Sequence, residues 1–157
     1  MIMEHELGNP PRARPPMSVM LATDGSEHAL RAARFLARML DPSIGTVRLH
    51  TVLSASMETT SYMGELSDAP ERRAAISVAV EQATAASRNI LEEAGFATTT
   101  SRSFGHPPDE VLTEAEERNI DLLVVGRRGL RMPSALMLGS VSGYLLHHAS
   151  MPVLIVP

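Results

Sequence analysis

The chain has 157 residues, a formal charge of -4, 44% apolar residues and 3% aromatic residues. It contains no cysteine, no tryptophan and no lysine, so all 14 basic residues are arginines. This suits one globular domain, and it excludes disulfides, thiolate metal sites, Schiff-base chemistry and a Walker A lysine, while mild acidity and few aromatics argue against nucleic-acid binding.

Residues 1–16 are polar and proline-rich and predict a disordered tail. They lack the basic-then-apolar order of a secretory signal, and no run reaches the ~18 apolar residues of a membrane span. A cytoplasmic protein with no membrane partner is the default expectation. The ordered domain is expected over 17–157.

Ser18 to Ala22 is a short apolar run without alternation, as in a strand buried on both faces of a parallel sheet. Thr23-Asp24-Gly25-Ser26 is turn chemistry, with Ser26 as an N-cap. Glu27 to Leu40 has apolar residues at helical spacing and stops at Asp41-Pro42. Thr46 to Leu53 predicts a second strand, with Val47, Leu49, Thr51 and Leu53 on one face. Ser54 to Pro70 lacks periodicity and predicts a long loop. Glu71 to Ala94 predicts a helix that buries Ile76, Val80, Ala83, Ile90 and Ala94, with Gly95 as a left-handed cap. Phe96 to Phe104 is a threonine-rich strand suited to a sheet edge. A third helix is expected from about Pro108 to Asn119. Ile120 to Val125 and Pro152 to Val156 predict the last two strands, separated by a glycine-spaced loop and a short helix from about Gly139 to Ala149.

This alternation predicts an α/β fold: one doubly wound domain, a parallel sheet and helices on both faces. Ligands bind such sheets beyond the carboxyl ends of the strands, where strand order reverses.

One motif stands there. Gly126-Arg127-Arg128-Gly129 is followed, after nine residues, by Gly139-Ser140-Val141-Ser142. Gly126 and Gly129 would let backbone N–H groups approach an anion and would permit positive φ. Gly139-Ser140 opens a helix whose free N–H groups attract phosphate, and Ser140 and Ser142 add hydroxyls. Taken alone, the spacing also fits a glycine-bearing loop with an ordinary helix cap.

With these residues the sequence resembles the universal stress protein family, whose nucleotide-binding members carry Gly-x2-Gly-x9-Gly followed by Ser or Thr. The likeness extends to Asp121 through Gly126, His147-His148-Ala149, Pro152 to Pro157, Thr23 to Ser26 and Gly105-His106-Pro107. It implies a five-stranded sheet in the order 3-2-1-4-5, of the adenine-nucleotide alpha hydrolase-like type. It also implies a cytoplasmic stress-response regulator that binds ATP or another adenine nucleotide, with Mg2+ or Mn2+ as an optional companion. Asp24 would accept from the ribose hydroxyls, and Ala22 and Thr23 would line the adenosine pocket. Thr51, where many members have valine, would hold adenine through its backbone. Gly126, Arg127, Gly129, Arg131 and Met132 would wrap ribose and phosphates, and Gly139, Ser140, Val141 and Ser142 would bind the phosphates. A homodimer would form through the last strand, 152–157.

Hydrolysis needs a group that orients water and one that stabilises transferring charge. The residues point to none, so turnover is expected to be slow or negligible. The alternative is a slow metal-dependent ATPase. Neither His147-His148 nor any carboxylate cluster predicts a metal cage, because adjacent helix residues face different directions.

Overall fold

The structure is a computed structural model, and it describes residues 16–53, 70–129 and 138–157. The proposed tail up to residue 15, the loop 54–69, and Arg131 and Met132 lie outside these residues.

Five strands form one parallel sheet: β1 (Val19–Ala22), β2 (Thr46–Leu53), β3 (Ala97–Phe104), β4 (Leu122–Gly126) and β5 (Val153–Val156). Their order is β3-β2-β1-β4-β5, as the family resemblance implies. The α-helices among the described residues are α1 (Glu27–Met39), α2 (Pro70–Glu93), α3 (Pro107–Glu117) and α4 (Ser140–His148).

Two cores lie on opposite faces of the sheet. Val19, Leu21, Val47, Leu49 and Val124 pack under Ala32, Ala33 and Leu36 of α1 and Leu91 of α2. Met20, Leu123 and Val125 pack on the other face against Val111 and Ala115 of α3 and Leu145 of α4. Both faces of β1 and β4 are therefore buried, which explains their unbroken apolar runs. The edge strand β3 is largely exposed along its length, in line with its threonine-rich sequence.

Local signals behave as their chemistry dictates. Ser26 caps α1 by accepting from Ala29 N. Gly95 takes φ +93 just past α2, a backbone state that side chains with a Cβ rarely adopt.

Three details differ from expectation. A 3-10 turn, Pro42–Ile44, follows α1, capped by Asp41 accepting from Ser43 N. The fourth strand starts at Leu122 rather than Ile120, because Asp121 anchors the preceding turn by accepting from Ser18 N at 2.7 Å. The fully buried stripe of α2 is Thr84, Ser87 and Leu91, rather than Ile76, Val80, Ala83, Ile90 and Ala94, which are half-buried. Two of those three residues carry hydroxyls. Thr84 satisfies its hydroxyl by donating to Val80 O at 2.8 Å, and the Ser87 hydroxyl lies 3.5 Å from that of Thr23.

Strand order reverses between β1 and β4, which are neighbours in register up to Ala22 and Val125. The described residues that leave these two strands, among them Asp24 and Gly129, therefore meet at one crevice.

Candidate functional site

The crevice is a cleft of about 750 Å3 at the carboxyl ends of β1, β2 and β4. Pockets for drug-sized ligands span roughly 300–1,000 Å3. Its walls are the turn after β1, the end of β2, the α2 stretch Ala79, Gln82 and Ala83, the turn that opens α3, and Gly126, Arg128, Gly129 and Gly139 to Ser142 between β4 and α4.

The α4 end is built to meet an anion. Gly143 N donates to Gly139 O, which is the first bond of the helix ladder. The N–H groups of Ser140, Val141 and Ser142 precede that bond, and Gly139 has no side chain to cap them. All three residues line the cleft. The aligned N–H groups and the positive end of the helix dipole favour negative charge there.

The glycines act through close approach. Gly139 adopts φ -65 as the N-cap, and neither Gly126 nor Gly129 is among the positive-φ residues, so the expected positive φ is not found. A Cβ on Gly126 would lie 2.5 Å from the carbonyl carbon of His28. Gly126 thus lets β4 touch the first turn of α1. A Cβ on Gly129 would lie 2.5 Å from Asp24 Oδ2, and one on Gly139 would lie 3.1 Å from the Cα of Arg128. The motif packs three backbone segments together at the cleft rim.

Ser142 is a structural serine. It is 1% exposed, and its single hydroxyl proton is shared between Arg127 O at 2.8 Å and Gly139 O at 3.1 Å. It ties the loop after β4 to the start of α4. That donor is therefore not available to a phosphate, and what Ser142 offers is its backbone N–H at the start of α4. Ser140, by contrast, is exposed at the cleft.

Asp24 accepts from Ser26 N through Oδ1 at 3.0 Å, which fixes the carboxylate over the turn. Thr23 N donates to His50 O at 2.9 Å, so β2's backbone at His50 faces β1. Backbone direction alternates along a strand, and Gly105 N donates to Leu53 O on the β3 side. The N–H and C=O of Thr51 therefore turn to β3, whereas those of Val52 turn to the β1 side, past the last β1 residue. The backbone pair that opens on the cleft belongs to Val52.

His50 is fully buried, with Nδ1 2.9 Å from Ser101 Oγ and Nε2 3.2 Å from Ser103 Oγ. Burial pushes its pKa below the ordinary histidine value, partly opposed by Glu114 and Glu110. At the rim, His106 Nδ1 lies 2.8 Å from Asp109 Oδ2. Hydrogen bonds from Tyr144 and then His106 hold the Asp109 carboxyl below its usual range. Tyr144 also stacks on His148 at 4.2 Å, so this exposed group joins α3 to α4.

The sequence profile of the Universal stress protein family matches residues 17–157. The chain belongs to the universal stress protein family. It is 32% identical over 148 residues to universal stress protein YxiE of Bacillus subtilis, covering 88% of this chain and 97% of the relative. Among solved structures it is similar to a universal stress protein in complex with cAMP, with a TM-score of 0.64, 24% identity, and coverage of 91% and 98%. It is also similar to a universal stress protein family protein from Arabidopsis thaliana with AMP bound, with a TM-score of 0.59, 21% identity, and coverage of 90% and 91%. These likenesses show a common fold.

In this universal stress protein the cleft brings together Ala22, Thr23, Asp24, Thr51, Gly126, Gly129, Gly139, Ser140, Val141 and Ser142. Arg127 does not line it. Its backbone is structural, donating to Val156 O and accepting from Gly139 N. Arg128, its neighbour, does line the cleft. Lining residues that the sequence did not assign to the site include Val52, Ala79, Gln82, Ala83, Pro108 and Val111. No local signal marks them, because their place depends on how α2 and α3 cross the sheet. Among the described residues no group of three or more His, Asp or Glu is placed to hold a metal ion, and no helix is long and apolar enough to cross a membrane.

Proposed function

We propose that this protein binds an adenine nucleotide, with ATP as the reference ligand, and acts as a stress-response regulator rather than as an efficient enzyme. The observation that carries this reading is the helix N-terminus at Ser140, Val141 and Ser142, uncapped by Gly139 and lining the same cleft as Asp24.

In this reading Asp24 accepts from ribose hydroxyls. Val52 offers an N–H and a C=O at the spacing that matches a ring nitrogen and an exocyclic amine of adenine. Ala22, Thr23 and Thr51 close the base pocket, and Gly126, Gly129 and Arg128 border the ribose and phosphates. The phosphates sit on the α4 N–H groups and the Ser140 hydroxyl. Any Mg2+ or Mn2+ would be held by phosphate oxygens and water, because the chain supplies no cage of its own.

Holding fits this cleft better than cleaving. Thr23 and Ser142 commit their hydroxyls to backbone carbonyls, and Asp24 is tied to Ser26 N. Side chains so occupied are poorly placed to orient an attacking water. Turnover is therefore expected to be negligible, and repeated phosphate release over hours would favour the slow metal-dependent ATPase instead.

The regulatory output is assigned to a homodimer through 152–157. Leu123 N donates to Pro152 O and Arg127 N to Val156 O, so alternation turns the backbone groups of Val153 and Ile155 outwards. An apolar edge of this kind invites antiparallel pairing with a second copy.

The test is mass spectrometry of small molecules released from the purified protein, together with calorimetric titration of ATP, ADP, AMP and cAMP. Saturable binding of at least one at a stoichiometry near one per chain is expected. Absence of binding to all four would refute the reading.

A further inference from the structure

Thr23, just past β1, and Thr51, near the end of β2, lie on the same face of the sheet, two residues beyond the core leucines Leu21 and Leu49. Their hydroxyls differ. That of Thr23 is fully engaged: it donates to Ala83 O at 3.0 Å and accepts from Gly25 N at 3.2 Å. Thr51 is 3% exposed and lines the cleft, and its hydroxyl has no hydrogen-bond partner among the described residues. Nor is it one of the described side-chain polar atoms sealed off without a partner, so the oxygen keeps some exposure in a residue that lines the cleft.

A ligand that fills the cleft takes this hydroxyl out of water, at a loss unless the ligand itself supplies the bond. Valine has the same shape and would avoid that loss. A ligand that brings a donor or acceptor to Thr51 converts it into selectivity, because only the correct ligand pairs the group.

We propose that the Thr51 hydroxyl reads the base of the bound nucleotide, by hydrogen-bonding a polar atom of the purine beside the Val52 backbone pair. This rests on the nucleotide reading above. A hydroxyl both donates and accepts, so it matches a ring nitrogen or an exocyclic amine. Thr51 thereby adds a side-chain contact to a pocket otherwise served at this strand end by backbone, and sets how strongly this chain prefers its base.

The experiment is calorimetric titration of ATP into the wild-type protein, Thr51→Val and Thr51→Ser, with urea denaturation of all three as a check on folding. Thr51→Val removes the hydroxyl and keeps the shape, and Thr51→Ser keeps the hydroxyl. Thr51→Val should weaken ATP binding about 5- to 10-fold, the worth of one net hydrogen bond, with no loss of stability. Thr51→Ser should stay within about 2-fold of wild type. The proposal is overturned if Thr51→Val binds as tightly as wild type or tighter, or if Thr51→Ser weakens binding as much as Thr51→Val does. If the wild-type protein takes up ADP, AMP or cAMP in place of ATP, the same comparison is made with that ligand; if it takes up none of the four, the nucleotide reading falls and this proposal with it.

Discussion

Gly129 packs against Asp24 so closely that a Cβ at 129 would lie 2.5 Å from the carboxylate Oδ2. Gly126, three residues earlier, meets backbone instead: its added Cβ would lie 2.5 Å from His28 C and 2.8 Å from Ala29 N. A carboxylate can swing aside, but the first turn of α1 cannot. Gly126→Ala should therefore destabilise the fold by about 1–3 kcal/mol, as overpacking does. Gly129→Ala should change stability by less than about 1 kcal/mol while displacing Asp24. Urea denaturation of both variants checks the contrast, and equal losses of stability would contradict it.

The two serines of the last motif should separate in the same way. Ser142→Ala removes a buried hydroxyl that bonds Arg127 O and Gly139 O, so it should cost about 1–2 kcal/mol of stability. Ser140→Ala removes an exposed hydroxyl and should stay within about 0.5 kcal/mol of wild type while weakening ATP binding. Denaturation and calorimetry on the same samples would settle both, and a Ser140→Ala protein less stable than Ser142→Ala would run against the assignment.

His50 predicts a pH dependence. Its folded pKa is depressed by burial, whereas the unfolded chain should titrate near the ordinary value of about 6.5. As pH falls below that value the unfolded state takes up the proton first. The unfolded state then binds more protons, so stability drops towards acid and is recovered above that value. Glu114 and Glu110 reduce the shift, and Arg48 adds to it. Urea midpoints at pH 7.5 and pH 5.5 should differ more in the wild type than in His50→Gln. An unchanged difference would remove His50 from the account.

The outward N–H of Ile155 offers a test of the dimer. Proline at that position removes an edge donor and leaves the β4 ladder intact, because Leu154 and Val156 face β4. Ile155→Pro should shift the protein from dimer to monomer in light scattering at micromolar concentration. A variant that remains dimeric would place the interface elsewhere, and a wild type that is already monomeric would refute the homodimer.

The fold was legible because strands buried on both faces read as unbroken apolar runs, and Asp24-Gly25, Gly95 and Pro107 mark the ends of elements. The cleft was legible in its glycines and serines, whose spacing in the chain becomes proximity once β4 and α4 are set side by side. Other parts depend on pairing. Whether Thr51 or Val52 turns its backbone to the cleft follows from which bonds β1 and β3 take, and this cannot be read along one strand. The buried stripe of α2 was obscured because Thr84 and Ser87 occupy interior positions that apolar periodicity assigns to other residues. The burial of the Ser142 hydroxyl was equally hidden, since a serine at a helix start looks the same whether it binds a ligand or its own loop.

The central claim is a nucleotide cleft closed by the approach of Gly129 to Asp24. The most direct measurement is calorimetric titration of ATP into the wild-type protein and Gly129→Val, with both shown to be folded by circular dichroism. Saturable binding by the wild type, lost or weakened at least about tenfold in the variant, is the predicted result. Equal affinity in both proteins would contradict it.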